Sequence, residues 1–156
     1  MAKKTIRLKA YSNNIIEKNA NAAITPGMLI EEMSTGKVRA HAQEGQTALP
    51  MFAIEDALQG KTIDQAYAAD APLRCWIPYR GDEVYAILEN GQDVAIGDFL
   101  ESNGAGYLQP HAADSTIEYA NSIVCQAIEA VDTSEGDSSG DSGALGFAKR
   151  IKVRIM

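Results

Sequence analysis

The feature that most constrains the fold of this chain is a repeat. Ile24-Thr25-Pro26-Gly27-Met28-Leu29-Ile30-Glu31 aligns with Val94-Ala95-Ile96-Gly97-Asp98-Phe99-Leu100-Glu101. Continued in the same frame, Gly36 meets Gly106, Val38 meets Leu108, and His41-Ala42 meets His111-Ala112. Further on, Ala53-Ile54-Glu55-Asp56-Ala57 resembles Ala127-Ile128-Glu129-Ala130-Val131. Self-similarity of this kind means that one supersecondary unit is used more than once. Each unit reads as a glycine turn, a strand, a second glycine turn, a strand, a loop and a buried strand. Two similar β units packed about a pseudo-two-fold axis are expected.

The rest of the chain agrees with a β architecture. Strands are predicted over residues 5–10, 28–33, 37–41, 51–57, 73–78, 83–88, 98–102, 107–109, 122–131 and 150–155. Between them lie Thr25-Pro26-Gly27, Ser34-Thr35-Gly36, Arg80-Gly81-Asp82, Asn90-Gly91 and Asn103-Gly104-Ala105-Gly106, the residue types that tight reversals need. A single short helix is predicted over Thr62 to Ala69, stopped by Asp70-Ala71-Pro72. The chain of 156 residues can bury one sizeable core and is too short for two ordinary domains. The fold class expected is all-β.

The two ends are alike. Thr5-Ile6-Arg7-Leu8-Lys9-Ala10 and Arg150-Ile151-Lys152-Val153-Arg154-Ile155 both alternate apolar and basic residues, the mark of a half-buried strand. The ends are expected to lie in one sheet, with their basic residues forming one patch. Residues 1–10 and 149–156 hold eight of the fourteen basic residues and no acid, so the middle of the chain carries all 21 acids. A body this acidic repels phosphates and argues against a nucleic-acid partner. Basic ends on an acidic body could steer the protein onto an acidic partner, or simply keep the outer faces of two strands solvated. No apolar run is long enough to cross a bilayer, and a cytoplasmic site of synthesis is expected.

Four regions follow: a basic arm over 1–10, a β core over 11–131 with units at about 24–57 and 94–131, an acidic Gly/Ser loop over 132–148, and a basic strand over 149–156. The loop, with Gly136-Asp137-Ser138-Ser139-Gly140-Asp141-Ser142-Gly143 at its centre, has nothing to bury and is expected to be mobile. A long connection of this kind could let the final strand reach a neighbouring subunit.

No residue pattern carries a catalytic argument. Gly140-Asp141-Ser142-Gly143 matches the run around a serine-protease nucleophile, but it lies in low-complexity sequence with no histidine base placed by the chain. His41, His111, Cys75 and Cys125 contain no closely spaced zinc-type pair, although the histidines occupy equivalent repeat positions. Cys75 and Cys125 lie in apolar surroundings and are expected to be buried free thiols. Gly104-Ala105-Gly106 lacks the context of a phosphate cradle. Adjacent carboxylates such as Glu31-Glu32 and Glu55-Asp56 point to opposite faces of a strand and form no acid–base pair by themselves. Trp76 reads as a core aromatic or an interface anchor.

Three features resemble the small decoration, or cement, proteins of tailed-bacteriophage capsids. They are the opening basic strand with its glycine-turn unit Ile24 to Glu31, the buried run Met51-Phe52-Ala53-Ile54-Glu55-Asp56-Ala57, and Gly81-Asp82-Glu83-Val84 leading to Val94-Ala95-Ile96-Gly97-Asp98-Phe99-Leu100. Together they span about residues 5 to 131 and the terminal strand, but not the acidic Gly/Ser stretch. The resemblance implies a β-tulip or β-clip-like small barrel without catalysis or cofactor. It implies a homo-oligomer, more often a trimer than a dimer, that clamps neighbouring major capsid subunits on the outer surface of the virion. On that reading Lys3, Lys4, Ile6, Arg7, Leu8 and Lys9 contact the capsid or a neighbouring subunit, with Lys149, Arg150, Lys152 and Arg154 second. Removing residues 1–10 is then expected to leave the domain folded. The alternatives are a β-clip-type domain binding a small sugar or acid, and another self-assembling virion component.

Overall fold

The computed structural model describes residues 3–112, 122–134 and 149–156, and these form an all-β structure. In chain order the strands are β1 (Arg7–Lys9), β2 (Ile15–Asn19), β3 (Ile30–Glu32), β4 (Val38–Ala40), β5 (Phe52–Ala53), β6 (Pro72–Trp76) and β7 (Glu83–Leu88). They continue with β8 (Asp93–Val94), β9 (Phe99–Ser102), β10 (Leu108–Pro110), β11 (Cys125–Ala127), β12 (Val131–Asp132) and β13 (Lys149–Ile155). A 3-10 turn, Ala57–Gln59, follows β5.

Five of these strands close a barrel in the order β7-β10-β9-β11-β13, with β13 returning to β7 over Lys149↔Leu88 to Arg154↔Glu83. Alternation along β13 sends Ile151, Val153 and Ile155 inward, to meet Val84, Ala86, Leu88, Leu100, Leu108, Cys125 and Ala127. β1 joins the same sheet on the other side of β7, at Arg7↔Val84. A second layer holds the sheet β2-β6-β5 and the hairpin β3-β4. Strand β6 serves two cores through its period of two. Leu73 and Cys75 enter a cluster with Ile24, Ile30, Val38, Met51 and Tyr67, whereas Trp76 enters the barrel-side cluster. Trp76 is fully buried, and its indole N–H donates to the Ser12 carbonyl at 3.2 Å, so it is a core residue.

The repeat survives in the backbone bonding. The hairpin pairs Ile30↔Ala40, Glu31↔Arg39 and Glu32↔Val38 recur seventy residues on as Leu100↔Pro110, Glu101↔Gln109 and Ser102↔Leu108. The Gly27 N–H donates to Ala53 O at 2.8 Å and the Gly97 N–H to Ala127 O at 2.9 Å. The Ala53 N–H returns to Met28 O, and the Ala127 N–H to Asp98 O. The two copies nevertheless occupy different places, because β9–β10 is built into the barrel while β3–β4 stands outside it. They meet at Gly106, whose carbonyl accepts the Leu29 N–H at 2.8 Å and whose N–H donates to His41 O at 3.2 Å. A two-fold axis would repeat that contact at Gly36. A Cβ at Gly36 would instead meet nothing within 4 Å, so the contact is one-sided and no two-fold relates the units there.

Four other expectations change. Residues 62–69 form no helix: a turn closed by the Gln65 N–H to Thr62 O at 3.2 Å opens the stretch. The Tyr67 N–H then donates to Ile24 O at 2.8 Å and the Ile24 N–H to Tyr67 O at 3.1 Å, a bridge that holds Tyr67 extended. Of the arm expected over 1–10, the described residues 3–10 are not separable from the domain, since Ile6 is fully buried in the main core and its carbonyl accepts the Tyr85 N–H at 2.8 Å. The C-terminal strand is paired on both sides within its own chain, by β7 and β11, and offers no edge to a neighbour. The two terminal strands share one sheet, but β7 lies between them. The acidic loop expected over 132–148 falls, beyond Ser134, outside the described residues, as does Gly140-Asp141-Ser142-Gly143.

Candidate functional site

The N-terminal segment is pinned by one carboxylate. Glu55, at the end of the buried run Met51 to Ile54, accepts the Thr5 hydroxyl on one oxygen and the Ile6 N–H at 3.1 Å on the other. This leaves Lys3 and Lys4 exposed ahead of it and sets Arg7 on β1, with its guanidinium carbon 5.2 Å from the centre of the Trp76 ring. Between this segment and residues 54–64 runs a cleft made of two recesses that share Glu55 and Ala57. One, of about 480 Å³, is bordered by Lys3, Lys4, Lys61 and Asp64. The other, of about 300 Å³, is bordered by Thr5, Arg7, Ala10 and Arg74.

Among the residues singled out from sequence, Lys3, Lys4 and Arg7 border this cleft. Ile6 is in the core, and Leu8 is half-buried against it. Lys9 is exposed, its ammonium 5.5 Å from the Tyr11 ring. The C-terminal basic residues part company. Lys149 is half-buried. Lys152 pairs with Glu129 at 2.8 Å, which raises its pKa, and exposed Arg154 pairs with Glu83 at 2.8 Å. Only Lys9 and Arg154 come together, on either side of Glu83.

Arg150 corrects the alternation argument. It points out of the barrel as expected, yet it is only 6% exposed, because the Pro26-Gly27 turn and residues 62–64 cover that face. Its guanidinium donates to Ile63 O at 2.6 Å, Pro26 O at 3.2 Å and Asp64 Oδ1 at 2.8 Å. It therefore ties the second layer to the barrel and is not presented to a partner.

Lys61 and Arg74 escaped the sequence reading. Arg74 was legible as the one cation in the apolar strand Leu73 to Pro78. Lys61 had no signal apart from its place between two loops.

The repeat-equivalent histidines stay apart in separate networks. His41 is buried, with Nδ1 2.7 Å from Ser102 Oγ and Nε2 3.6 Å from Glu31 Oε2. His111 Nδ1 lies 2.6 Å from Glu101 Oε2, which also accepts the Ser122 hydroxyl at 2.8 Å. In each unit the histidine that ends the hairpin turns to the glutamate of its first strand, a polar lock on the hairpin. Among the described residues no group of three or more His, Cys, Asp or Glu is placed to hold a metal ion. Both cysteines are free and buried; burial pushes the Cys75 thiol up to about 12 and the Cys125 thiol upward as well, the reverse of an activated thiolate.

No family model matches the chain, and no curated protein does. Solved structures do share its fold. The head fiber gp8.5 N base in bacteriophage phi29 aligns over 91% of this chain and 92% of that chain, with a TM-score of 0.51 and 12% sequence identity. The two chains thus follow a similar path almost from end to end, while their sequences have little in common. A likeness at this identity speaks for the fold.

Proposed function

We propose that this protein is a non-enzymatic structural component of a bacteriophage virion. It sits on the outer surface of the capsid as a decoration domain and stabilises the shell by bridging neighbouring major capsid subunits. The observation that carries this reading is the fold shared along nearly the whole of both chains with a phage head-fibre base. The surface chemistry is compatible with it. Exposed Lys9 projects from β1, which is paired to the barrel, and exposed Lys3 and Lys4 lie just ahead of the segment that Glu55 pins, so a partner's acidic groups would meet cations on or beside anchored backbone. The domain acts as a homo-oligomer, with a trimer preferred, so that several weak contacts add through avidity.

The test is to mix the purified protein with heads of its own phage prepared without it. Saturable co-sedimentation, with a higher temperature of head disruption, is expected. Absence of co-sedimentation at micromolar protein would overturn the reading. Light scattering after size-exclusion chromatography gives the oligomeric state.

A second reading, a β domain that binds a small sugar or acid, draws on the recess of about 480 Å³, a size typical of ligand sites. A rise in melting temperature with such a compound, together with a strict monomer, would favour it.

A further inference from the structure

The fourteen cations of this protein fall into three groups, the smallest being Lys9, Arg80 and Lys149, which form no ion pair among the described residues and stand away from the cleft. Lys18, Lys37, Arg39, Arg150, Lys152 and Arg154 each form an ion pair. Lys3, Lys4, Arg7, Lys61 and Arg74 form none among the described residues, and all five border the one cleft. The two acids that border it are already engaged. Both oxygens of Glu55 hold the N-terminal segment, and Asp64 holds Arg150. Arg7 Nε is buried without a hydrogen-bond partner. Glu55 accepts only from neutral donors and keeps its charge, so five cations face one unpaired carboxylate, a local excess of positive charge on a chain whose net charge is −7. Like charges gathered in a concave site repel one another and focus a positive field, an arrangement that an anion relieves.

We propose that this cleft binds an acidic segment of polypeptide; that a capsid subunit supplies the segment rests on the function proposed above. Two observations favour peptide over other anions. The two recesses have Glu55 and Ala57 in both linings, and reaching the cations of both suits an extended chain better than a single ion. Leu58, 88% exposed, stands next to Ala57 in the 3-10 turn and offers an apolar contact that neither inorganic phosphate nor a sugar–phosphate backbone uses. The acidic body would also repel the dense phosphates of a nucleic acid. Arg7 and Arg74 supply planar guanidinium groups, which match carboxylates in two-pronged hydrogen bonding.

The experiment uses the full-length protein and a short fluorescein-labelled peptide of glutamates and leucines, followed by anisotropy. Binding that weakens steeply with salt is expected. Lys4→Glu with Lys61→Glu, both at exposed positions, should weaken it about tenfold or more with the melting temperature unchanged; two reversed charges at close range are of that order. Arg80→Gln, an exposed cation elsewhere, should leave it unaltered. The proposal is overturned if the double variant binds as the wild type does. It is equally overturned if the glutamine version of the peptide binds as well, or if an oligonucleotide or inorganic phosphate displaces the label as readily as unlabelled peptide. The assay contains no heads, so peptide binding without head binding sinks the capsid reading alone. Head binding without peptide binding sinks this inference alone.

Discussion

Gly36 and Gly106 provide an internal experiment. They are equivalent in the repeat and have nearly the same backbone, with φ of 81° and 83°, where a side chain is strained by about 1–2 kcal/mol. Replacing glycine by alanine recovers about 0.4–1 kcal/mol by restricting the unfolded chain. Gly36→Ala, with open space around the new methyl, should therefore cost about 1 kcal/mol net. At Gly106 the same methyl would lie 2.9 Å from Ala40 Cβ and 3.2 Å from the Leu29 carbonyl oxygen. Relieving that overlap moves the contact between the two hairpins, and overpacking of this kind adds about 1–3 kcal/mol. For a chain of 156 residues the difference between the variants corresponds to about 3–9 °C in melting temperature. The readout is urea unfolding followed through Trp76, the sole tryptophan and fully buried. Equal losses, within about 0.5 kcal/mol, would refute the one-sided packing of the repeats, because backbone strain alone treats the two sites alike.

Three further outcomes are expected. Arg150→Leu should cost about 2–4 kcal/mol, chiefly because the Ile63 and Pro26 carbonyls lose their donor inside the protein; Asp64 is half-exposed and adds little, so a loss below about 1 kcal/mol by denaturant unfolding would contradict the clamp. Ile6→Ala should cost about 2–4 kcal/mol, and a fully stable protein lacking residues 1–6 would show that the N-terminal segment is dispensable to the core. Stability should fall as pH rises above about 9, where unfolded thiols ionise while the folded Cys75 and Tyr67 groups keep their protons up to about 12, so that unfolding releases protons; a pH-independent urea midpoint between 8 and about 10.5 would refute this.

What the sequence disclosed and what it hid follow from how local each signal is. The repeat was legible because its glycines and apolar positions are fixed by hairpin geometry, which is short-range. Glu83 to Leu88 was legible for the same reason: a run of β-forming residues between two turns. Ile15 to Asn19 was missed as a strand because Ile15 and Ile16 are adjacent and break the alternation. The helix expected over Thr62 to Ala69 lost to the backbone bridge with Ile24, a contact across more than forty residues. Arg150 misled because alternation tells inside from outside of one sheet and cannot tell whether a second layer covers the outside. The cleft was half legible: Lys3, Lys4 and Arg7 stood out as a basic cluster, whereas Lys61 and Arg74 join them only through the fold.

The position of β13 in the chain has a consequence for how the protein is made. Every stave that it touches is synthesised before it, so the barrel stays open on the ribosome until residues 149–155 emerge. Until then β7 and β11 each present an unpaired edge, and Val84, Ala86 and Leu88 face solvent where the final strand belongs. β1 likewise waits for β7 to be made before it has a partner. A chain cut short before β13 is therefore an aggregation-prone open sheet instead of a weakened copy of the domain. Completion of the barrel becomes a check on synthesis, since only a chain read through this strand can present its basic cleft on a closed, soluble scaffold.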